Sequence, residues 1–579
     1  MSTRSLKLLI GGEAGDGVFS TADMIAKAFS RAGLHVFTSQ IYSSRIRGGH
    51  IYTTVRVSDE PLQSQGDHPD FVIGLDLNTV ELHGKDVNPG GAVVYDNSAG
   101  EIDPEIVGNG DVTFLPVPAK QVAQKELKMP VMKNLVLAGA AFRALEFDPN
   151  LEILGEMVEE RFGRKGREVV EKNLKAAARG KELVSESLNG AHPLPLMKGA
   201  AKDLLLLSGS DALSLGAIAA GCRFTASYPI TPATDVLEFM VKRLPKLGGA
   251  CVQAEDELSA VHMIIGASWA GVRSITSTSG PGLSLMVEGL GLASMTETPI
   301  VVVDVQRAGP STGVPTKTEQ GDLDLLVYGA HGEAPRIVLA PSDTEECFRM
   351  GAEAFNLADR YQCPVFVALD QFLGQAKKTL PGLDINSVRI DRGQMVPKNG
   401  SKDFRRYEVT DSGVSPRALP GRVESTLNAT GLIHDEDGFP RDNPEVRVRM
   451  MDKLFRKMEP LREEFPGPQV YGDQKSDTTI LAWGSTKGAI LEAMEIMRED
   501  GITLRLLHFS YIWPLPRKKV EEAIGSPRRV ICIENNMGGQ FAGLLRREIG
   551  LDAEKLTRYD GRPFTAEGLR KSLKRRLSE

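Results

Sequence analysis

Three times along this chain an apolar run enters a glycine-bearing turn and continues into a helix rich in small residues. The openings are "LKLLIGGEAGDGVFSTADMIAKAFSRAG" from Leu6, "KDLLLLSGSDALSLGAIAAGC" from Lys202 and "DTTILAWGSTKGAILEAMEIMREDG" from Asp477. Continuous apolar strands followed by amphipathic helices belong in parallel sheets covered on both faces. The repetition predicts three doubly wound α/β domains, and 579 residues are too many for one core. Composition shifts set the boundaries: a first domain over 1–190, a Pro/Gly linker over 191–202 and a second domain over 203–380. An irregular connecting or covering region follows over 381–474, then a third domain over 475–579.

The balance of charge narrows the function classes. A formal charge of −7 without a basic stripe argues against nucleic acid as partner. No run reaches the length of a membrane span, and "MSTRSLKLLIGGEAGDG" reads as a mature N-terminus entering a strand, not as a secretion signal. Cys222, Cys251, Cys347, Cys363 and Cys532 are scattered, with no C-x-x-C, so neither a disulfide framework nor a chain-local iron–sulfur or zinc site is expected. The expected compartment is a reducing cytoplasm.

Two glycine features near the start are ambiguous. "GGEAGDG" (11–17) lies between strand and helix, where backbone N–H groups can face an anion, but its spacing is a poor dinucleotide fingerprint. A plain tight turn is an equal reading. Gly15-Asp16-Gly17 could also open a diphosphate–Mg²⁺ motif, yet no Asn follows at the required distance, and no Gly-Asp-Gly precedes Asn535-Asn536 at that spacing. The chain therefore lacks a complete motif for holding a metal-bound diphosphate.

The most specific stretch is "TASYPITPATD" (225–235). Pro229 and Pro232 fix φ on either side of Ile230-Thr231 and remove two backbone donors, which holds the Thr231 hydroxyl at one place. Downstream come "VQAEDELSAVHMIIGASWAG" (252–271), "RSITSTSGPGLSLMVEGLG" (273–291) and "PIVVVDVQRAGPSTGVPTKTEQGD" (299–322). Arg307 follows the strand "IVVVDVQ", at the end that faces the ligand crevice of an open α/β sheet, and its planar fork suits a carboxylate.

In this order the four motifs resemble the alpha subunit of the 2-oxoacid:ferredoxin oxidoreductases from about residue 203 onward. The first 190 residues resemble the family's gamma unit fused in front, with "YSSRIRGGH" (42–50) similar to its Arg-Gly-Gly stretch. The resemblance implies a Rossmann-like gamma domain, a thiamine pyrimidine-binding-type domain and a transketolase C-terminal-like domain. It implies thiamine diphosphate as cofactor and CoA as acyl acceptor. A beta subunit would bring the Mg²⁺–diphosphate motif and a [4Fe–4S] cluster, and ferredoxin would take the electrons. A dimer of alpha–beta units is the expected assembly.

The resemblance also assigns residues. Glu257 falls at the position of the acid that hydrogen-bonds the aminopyrimidine ring; Glu255 is the alternative, and a macrodipole-favoured first-turn acid is the bland one. Thr231 and Arg307 would contact the 2-oxo acid, against a helix N-cap for Thr231 and a scaffold pairing with Asp304 or Asp235 for Arg307. Ser279, Gly280 and Gly282 would form the pyrimidine-side loop, with Tyr228 and Pro229 beside the cofactor. Gly15, Gly17, Arg45 and Arg47 are candidate contacts for CoA or another ligand. Lys317 would read the distal carboxylate of 2-oxoglutarate, the alternative being a surface lysine paired with Glu319. His262, His331 and His434 read as structural. The implied reaction is reversible oxidative decarboxylation of 2-oxoglutarate with CoA to succinyl-CoA and CO₂; pyruvate or another 2-oxo acid is the near alternative. A nucleotide-dependent dehydrogenase and a non-catalytic scaffold are the distant ones.

Overall fold

The computed structural model describes residues 5–42, 48–103, 105, 110–188, 194–397 and 403–579. Arg45 and Arg47 lie outside them. The described chain divides into two compact units. One comprises residues up to Leu207 with Ala376–Gly382 and Thr565–Ser572; the other comprises Ser208–Gln375, Leu383–Phe564 and Leu573–Glu579.

The first unit is built on an eight-stranded sheet in the order Val112–Val117, Gly91–Asp96, Phe71–Gly74, Leu6–Glu13, His50–Ser58, His35–Ile41, Lys377–Pro381 and Leu204–Ser208. The first four strands run parallel. From Leu6–Glu13 onward the recorded pairings are antiparallel. The connection between Ile41 and His50 is too short to return as a crossover helix, so those neighbours must run in opposite directions. The apolar strand that opens the second sequence repeat, Leu204–Ser208, thus closes an edge of this sheet, and its helix Gly209–Ala219 begins the second unit. Helices Lys133–Ala144 and Arg167–Leu188 touch backbone to backbone. A Cβ on Gly139 would stand 2.0 Å from the Ala177 carbonyl, and one on Gly180 would stand 1.8 Å from that of Val136.

The second unit holds two sheets. Seven strands run in the order Tyr511–Trp513, Ile337–Leu339, Pro364–Asp370, Ile300–Gln306, Ser274–Thr278, Phe224–Ser227 and Ala250–Gln253. All pair in parallel except the first, which is antiparallel. Central strands such as Ile300–Gln306 and Pro364–Asp370 are buried along their whole length, as apolar runs flanked by helices on both faces require. The smaller sheet runs Gln469–Gly472, Arg505–Phe509, Thr478–Trp483, Arg529–Glu534, Glu554–Thr557, again parallel but for its first strand.

The irregular stretch after Leu383 is held by buried charge in place of regular structure. Asp359 receives Arg273 and Arg417 at 2.8 Å and Arg392 at 2.9 Å. Glu297 receives Lys453 and, at 3.1 Å, Lys457, all three side chains fully buried. Arg406 donates to the Glu297 carbonyl at 2.7 Å. His434, buried on the Tyr407 ring with a 4.0 Å centroid separation, bonds the carbonyls of Asp435 and Met295. It packs this segment against the domain.

Candidate active site

Four neighbouring parallel strands deliver the candidate residues at their C-terminal ends. Phe224–Ser227 leads into the proline corner, Ala250–Gln253 into Glu257, Ser274–Thr278 into Ser279, and Ile300–Gln306 into Arg307. This end of an open parallel sheet is where ligands bind, because the strands stop there and helix N-termini face inward.

Thr231 lies before the helix Thr234–Arg243, whose N-cap is Ala233, so it does not cap that helix. The corner is tied down from below: Ser277 Oγ donates to the Ala233 carbonyl at 3.3 Å, and the Ser277 N–H donates to Ser227 Oγ at 2.9 Å. The Thr231–Pro232 bond is cis. Tyr228 is 42% exposed, and Pro229 beside it is half-buried.

The acids of "EDE" separate by environment. Glu255 is exposed; Asp256 caps the helix Glu257–Trp269 by accepting the Ser259 N–H at 2.6 Å; Glu257 opens that helix and is buried. Among the described residues no donor hydrogen-bonds the Glu257 carboxylate, which rests on the Gly280-Pro281-Gly282 turn. A Cβ at Gly282 would stand 2.5 Å from Glu257 Oε1 and 2.2 Å from Thr278 Oγ1. Glycine is needed there so that the carboxylate can approach the backbone. Ser279 Oγ is buried with no hydrogen-bond partner among the described residues. A bare backbone turn, a buried acid and an orphaned hydroxyl together form a cradle suited to a planar ring that carries hydrogen-bonding nitrogens. These residues fit an aminopyrimidine.

Arg307 is buried, and its Nη1 donates to the Thr231 carbonyl at 2.8 Å. Its Nε has no hydrogen-bond partner among the described residues. Burial pulls the guanidinium below its ordinary value, and nearby Asp322 and Glu257 oppose that. The scaffold pairing with Asp304 or Asp235 does not form: Asp304 has no hydrogen-bond partner among the described residues, and Asp235 accepts from Gln375 Nε2 at 3.1 Å. Arg307 therefore stands beside Thr231 with donors to spare, a state suited to an incoming carboxylate.

Lys317 sits on the loop that returns from Arg307; its carbonyl accepts the Ala308 N–H at 3.0 Å. Its stem packs on Gly561, and its closest charges are Arg562 and Asp560. Burial and Arg562 lower its pKa. Glu319 turns away and accepts the Gly309 N–H at 3.1 Å, so a Lys317–Glu319 pair is not present.

Several residues were not anticipated from the sequence. Gln320 exchanges backbone and side-chain hydrogen bonds with Asn535 at 2.7 and 2.9 Å, while Asn536 Nδ2 reaches the Gln320 carbonyl at 3.0 Å. Asn535-Asn536 thereby clamps the loop after Arg307. Asp304 and Asp322, on either side of Arg307 in the chain, form a buried acid pair behind it. The spacing Asp304-x-x-Arg307 was visible, but nothing local indicated that Asp322 folds back onto it.

In the first unit, Gly15 and Gly17 adopt φ of 104° and 80°, and Gly17 caps the helix Val18–Arg31. Lys133 Nζ bonds Asp16 Oδ2 and Asn134 Nδ2 bonds the Asp16 carbonyl, both at 2.7 Å. The loop borders a cavity of about 390 Å³ lined also by Met132, Asn134, Arg161 and Phe162. His262 and His331 are exposed; His262 Nδ1 bonds the Leu258 carbonyl.

An open parallel sheet that brings a buried acid, a glycine turn and a buried arginine to its C-terminal strand ends is the arrangement of an α/β enzyme subunit. Residues 215–453 match the family model described as pyruvate flavodoxin/ferredoxin oxidoreductase, thiamine diphosphate-binding. Residues 7–183 match pyruvate ferredoxin/flavodoxin oxidoreductase, and 476–566 match pyruvate:ferredoxin oxidoreductase core domain II. The chain is 32% identical to the alpha subunit of 2-oxoacid:ferredoxin oxidoreductase 2 of Aeropyrum pernix, over 99% of this chain and 98% of that one. It is 38% identical to the 2-oxoglutarate synthase subunit KorA of Methanothermobacter thermautotrophicus, over 61% and 94%. A solved structure of 2-oxoglutarate:ferredoxin oxidoreductase from Magnetococcus marinus, with 2-oxoglutarate, coenzyme A and succinyl-CoA bound, superposes with a TM-score of 0.93 at 38% identity over 99% of this chain and 100% of that one. The chain belongs to the 2-oxoacid:ferredoxin oxidoreductases, as an alpha subunit of a multi-subunit enzyme with the gamma unit fused at its N-terminal side. No described helix is long and apolar enough to cross a membrane.

Proposed function

We propose that this chain supplies the pyrimidine half of the thiamine diphosphate site and the 2-oxo acid grip of a CoA-acylating oxidoreductase acting on 2-oxoglutarate. The observation that carries the reading is the convergence of Glu257, the Gly280–Gly282 turn, Thr231 and Arg307 at four adjacent strand ends. Thiamine diphosphate, when bound, would supply the nucleophilic carbon and the electron sink that decarboxylation of a 2-oxo acid needs. Glu257 would hold its pyrimidine ring through a proton-sharing hydrogen bond. Its burial keeps that bond from competing with water, whereas Glu255, exposed, has no such advantage. The Gly282 backbone and Ser279 Oγ orient the ring edge. Arg307 would donate to the substrate's C1 carboxylate, and Thr231, whose carbonyl it already holds, would contact the carboxylate or the keto oxygen. Tyr228 and Pro229 border the cofactor.

The chain has no diphosphate–Mg²⁺ motif and no cysteine cluster, so a beta subunit provides the Mg²⁺ site and a [4Fe–4S] centre, and ferredoxin is the acceptor. The assembly is a dimer of alpha–beta units in the cytoplasm. CoA meets the first unit at the Gly15–Gly17 loop and its cavity. The 2-oxoglutarate preference rests on Lys317 and on the names of the similar proteins; pyruvate is the alternative substrate.

The test is reconstitution with the beta subunit, thiamine diphosphate and Mg²⁺. CoA-dependent acceptor reduction should be faster with 2-oxoglutarate than with pyruvate. Glu257→Gln should abolish C2–H/D exchange of the bound cofactor and Glu255→Gln should leave it intact. Exchange lost only in Glu255→Gln, or a preference for pyruvate, overturns the corresponding part.

A further inference from the structure

Behind the arginine that grips the substrate lies an arrangement that the reaction above does not use. Asp304, on the strand Ile300–Gln306, is completely buried, and among the described residues no N–H or hydroxyl donor reaches either of its carboxyl oxygens. Asp322 Oδ2 is equally orphaned. The two carboxyls interact directly with each other. As two carboxylates they offer only acceptors and repel; with one proton between them, each satisfies the other. Asp322 is also wedged against the pyrimidine-side turn: a Cβ on Gly280 would stand 2.7 Å from each Asp322 oxygen. Its own N–H donates to Gln306 Oε1 at 3.0 Å, which fixes its backbone to the residue preceding Arg307.

Asp322 is an electrostatic neighbour of Arg307, yet the two do not form an ion pair. The guanidinium spends its Nη1 on a carbonyl and leaves Nε unused. A fully ionised Asp322 would be the natural occupant of that fork and would compete with the substrate.

We propose that Asp304 and Asp322 are a proton-sharing positioning pair that keeps Arg307 unclamped, so that the arriving 2-oxo acid carboxylate binds Arg307 while the pair takes one proton from solvent. The inference rests on the assignment of Arg307 as the substrate grip. The charge count explains the direction. Arg307 carries +1 and is faced by Glu257, Asp322 and, behind it, Asp304; Glu319 is the further acid acting on Asp322. A second carboxylate arriving at Arg307 raises the cost of ionised Asp322, and protonation removes that cost. Burial pushes Asp322 up to about 6, Glu319 adds to the rise, and Arg307 opposes it; Asp304 is raised by burial and by Asp322.

The experiment uses the reconstituted alpha–beta complex. Without thiamine diphosphate, 2-oxoglutarate binding is followed calorimetrically at pH 7.5 in two buffers of different ionisation enthalpy. Uptake approaching one proton per site is expected. With the cofactor present, KM for 2-oxoglutarate should rise several-fold between pH 6.5 and 8, up to about tenfold per pH unit by linkage, while kcat follows a separate profile. Asp322→Asn, isosteric with the neutral acid, should eliminate the proton uptake and flatten the KM profile. Asp304→Asn leaves Asp322 without the carboxyl that shares its proton, so its KM profile should depart from that of the wild type. Absence of proton uptake in the wild type, or KM profiles for both variants superimposable on the wild type, overturns the proposal. Arg307→Lys separates the two readings. If it leaves 2-oxoglutarate binding intact, Arg307 is not the grip and the assignment beneath the proposal fails. If it weakens binding while the Asp322→Asn profile is unchanged, only the pair's role fails.

Discussion

Replacing Glu297 by Gln should loosen the covering segment more than any single surface change. Glu297, Lys453 and Lys457 have no exposed side-chain area, and Glu297 also anchors Arg406 through its carbonyl. The attraction of the lysines and Arg406 outweighs burial and holds the Glu297 carboxyl at about 2 against an ordinary 4.5. Burial leads in lowering Lys453 from 10.5 to about 8. The carboxylate's contribution is present above pH 4.5 and is lost as pH falls toward 2. The lysine's cost applies below pH 8 and disappears as pH rises through 10.5. At neutral pH the two act in opposite directions, as expected for a buried ion cluster whose desolvation offsets its attraction.

Removing one member is different, because it leaves two ammonium groups buried without a counter-charge, at a cost of about 3–5 kcal/mol. Native-state hydrogen exchange is the assay, since a chain with two compact units does not unfold in one step. Amides of the helix Pro444–Arg456 should exchange on the order of a hundredfold faster or more in Glu297→Gln, taking each 1.4 kcal/mol as tenfold. The triple replacement of Glu297, Lys453 and Lys457 by Met should restore most of the protection, as apolar substitutes of similar volume do. Unchanged exchange in Glu297→Gln, or a triple variant worse than the single one, refutes the account.

Lys317→Met should raise KM for 2-oxoglutarate about ten- to hundredfold, the worth of a hydrogen bond to a charged group of about 1.5–3 kcal/mol, and leave pyruvate turnover little changed; equal losses on both would indicate loop damage. Gly180→Ala should destabilise the first unit by about 1–3 kcal/mol despite alanine's better helix propensity, because the new methyl meets the Val136 carbonyl at 1.8 Å. A thermal midpoint unchanged or raised in the full chain would contradict that close approach.

The sequence by itself determined the local units and the chemistry they carry. Alternating apolar runs, glycine turns and small-residue helices produce strands and helices through short-range sterics and burial, wherever those segments end up. The same is true of Glu257: Asp256 caps the helix, so the next residue must open its first turn, and only its burial distinguishes it from Glu255. Which edge each strand joins was decided by the tertiary structure. Leu204–Ser208 and Lys377–Pro381 close the sheet of the first unit, and Tyr511–Trp513 pairs antiparallel with Ile337–Leu339 in the second. A strand's hydrogen-bonding groups are identical along any free edge, so its own residues cannot select a distant partner. The same reason hides Asp322. An aspartate near a glycine reads as a turn residue until the fold lays it against Gly280 and opposite Asp304. Likewise, the clamp of Asn535-Asn536 on Gln320 exists because two sheets pack together, a contact that depends on distance in space and leaves no mark in local pattern.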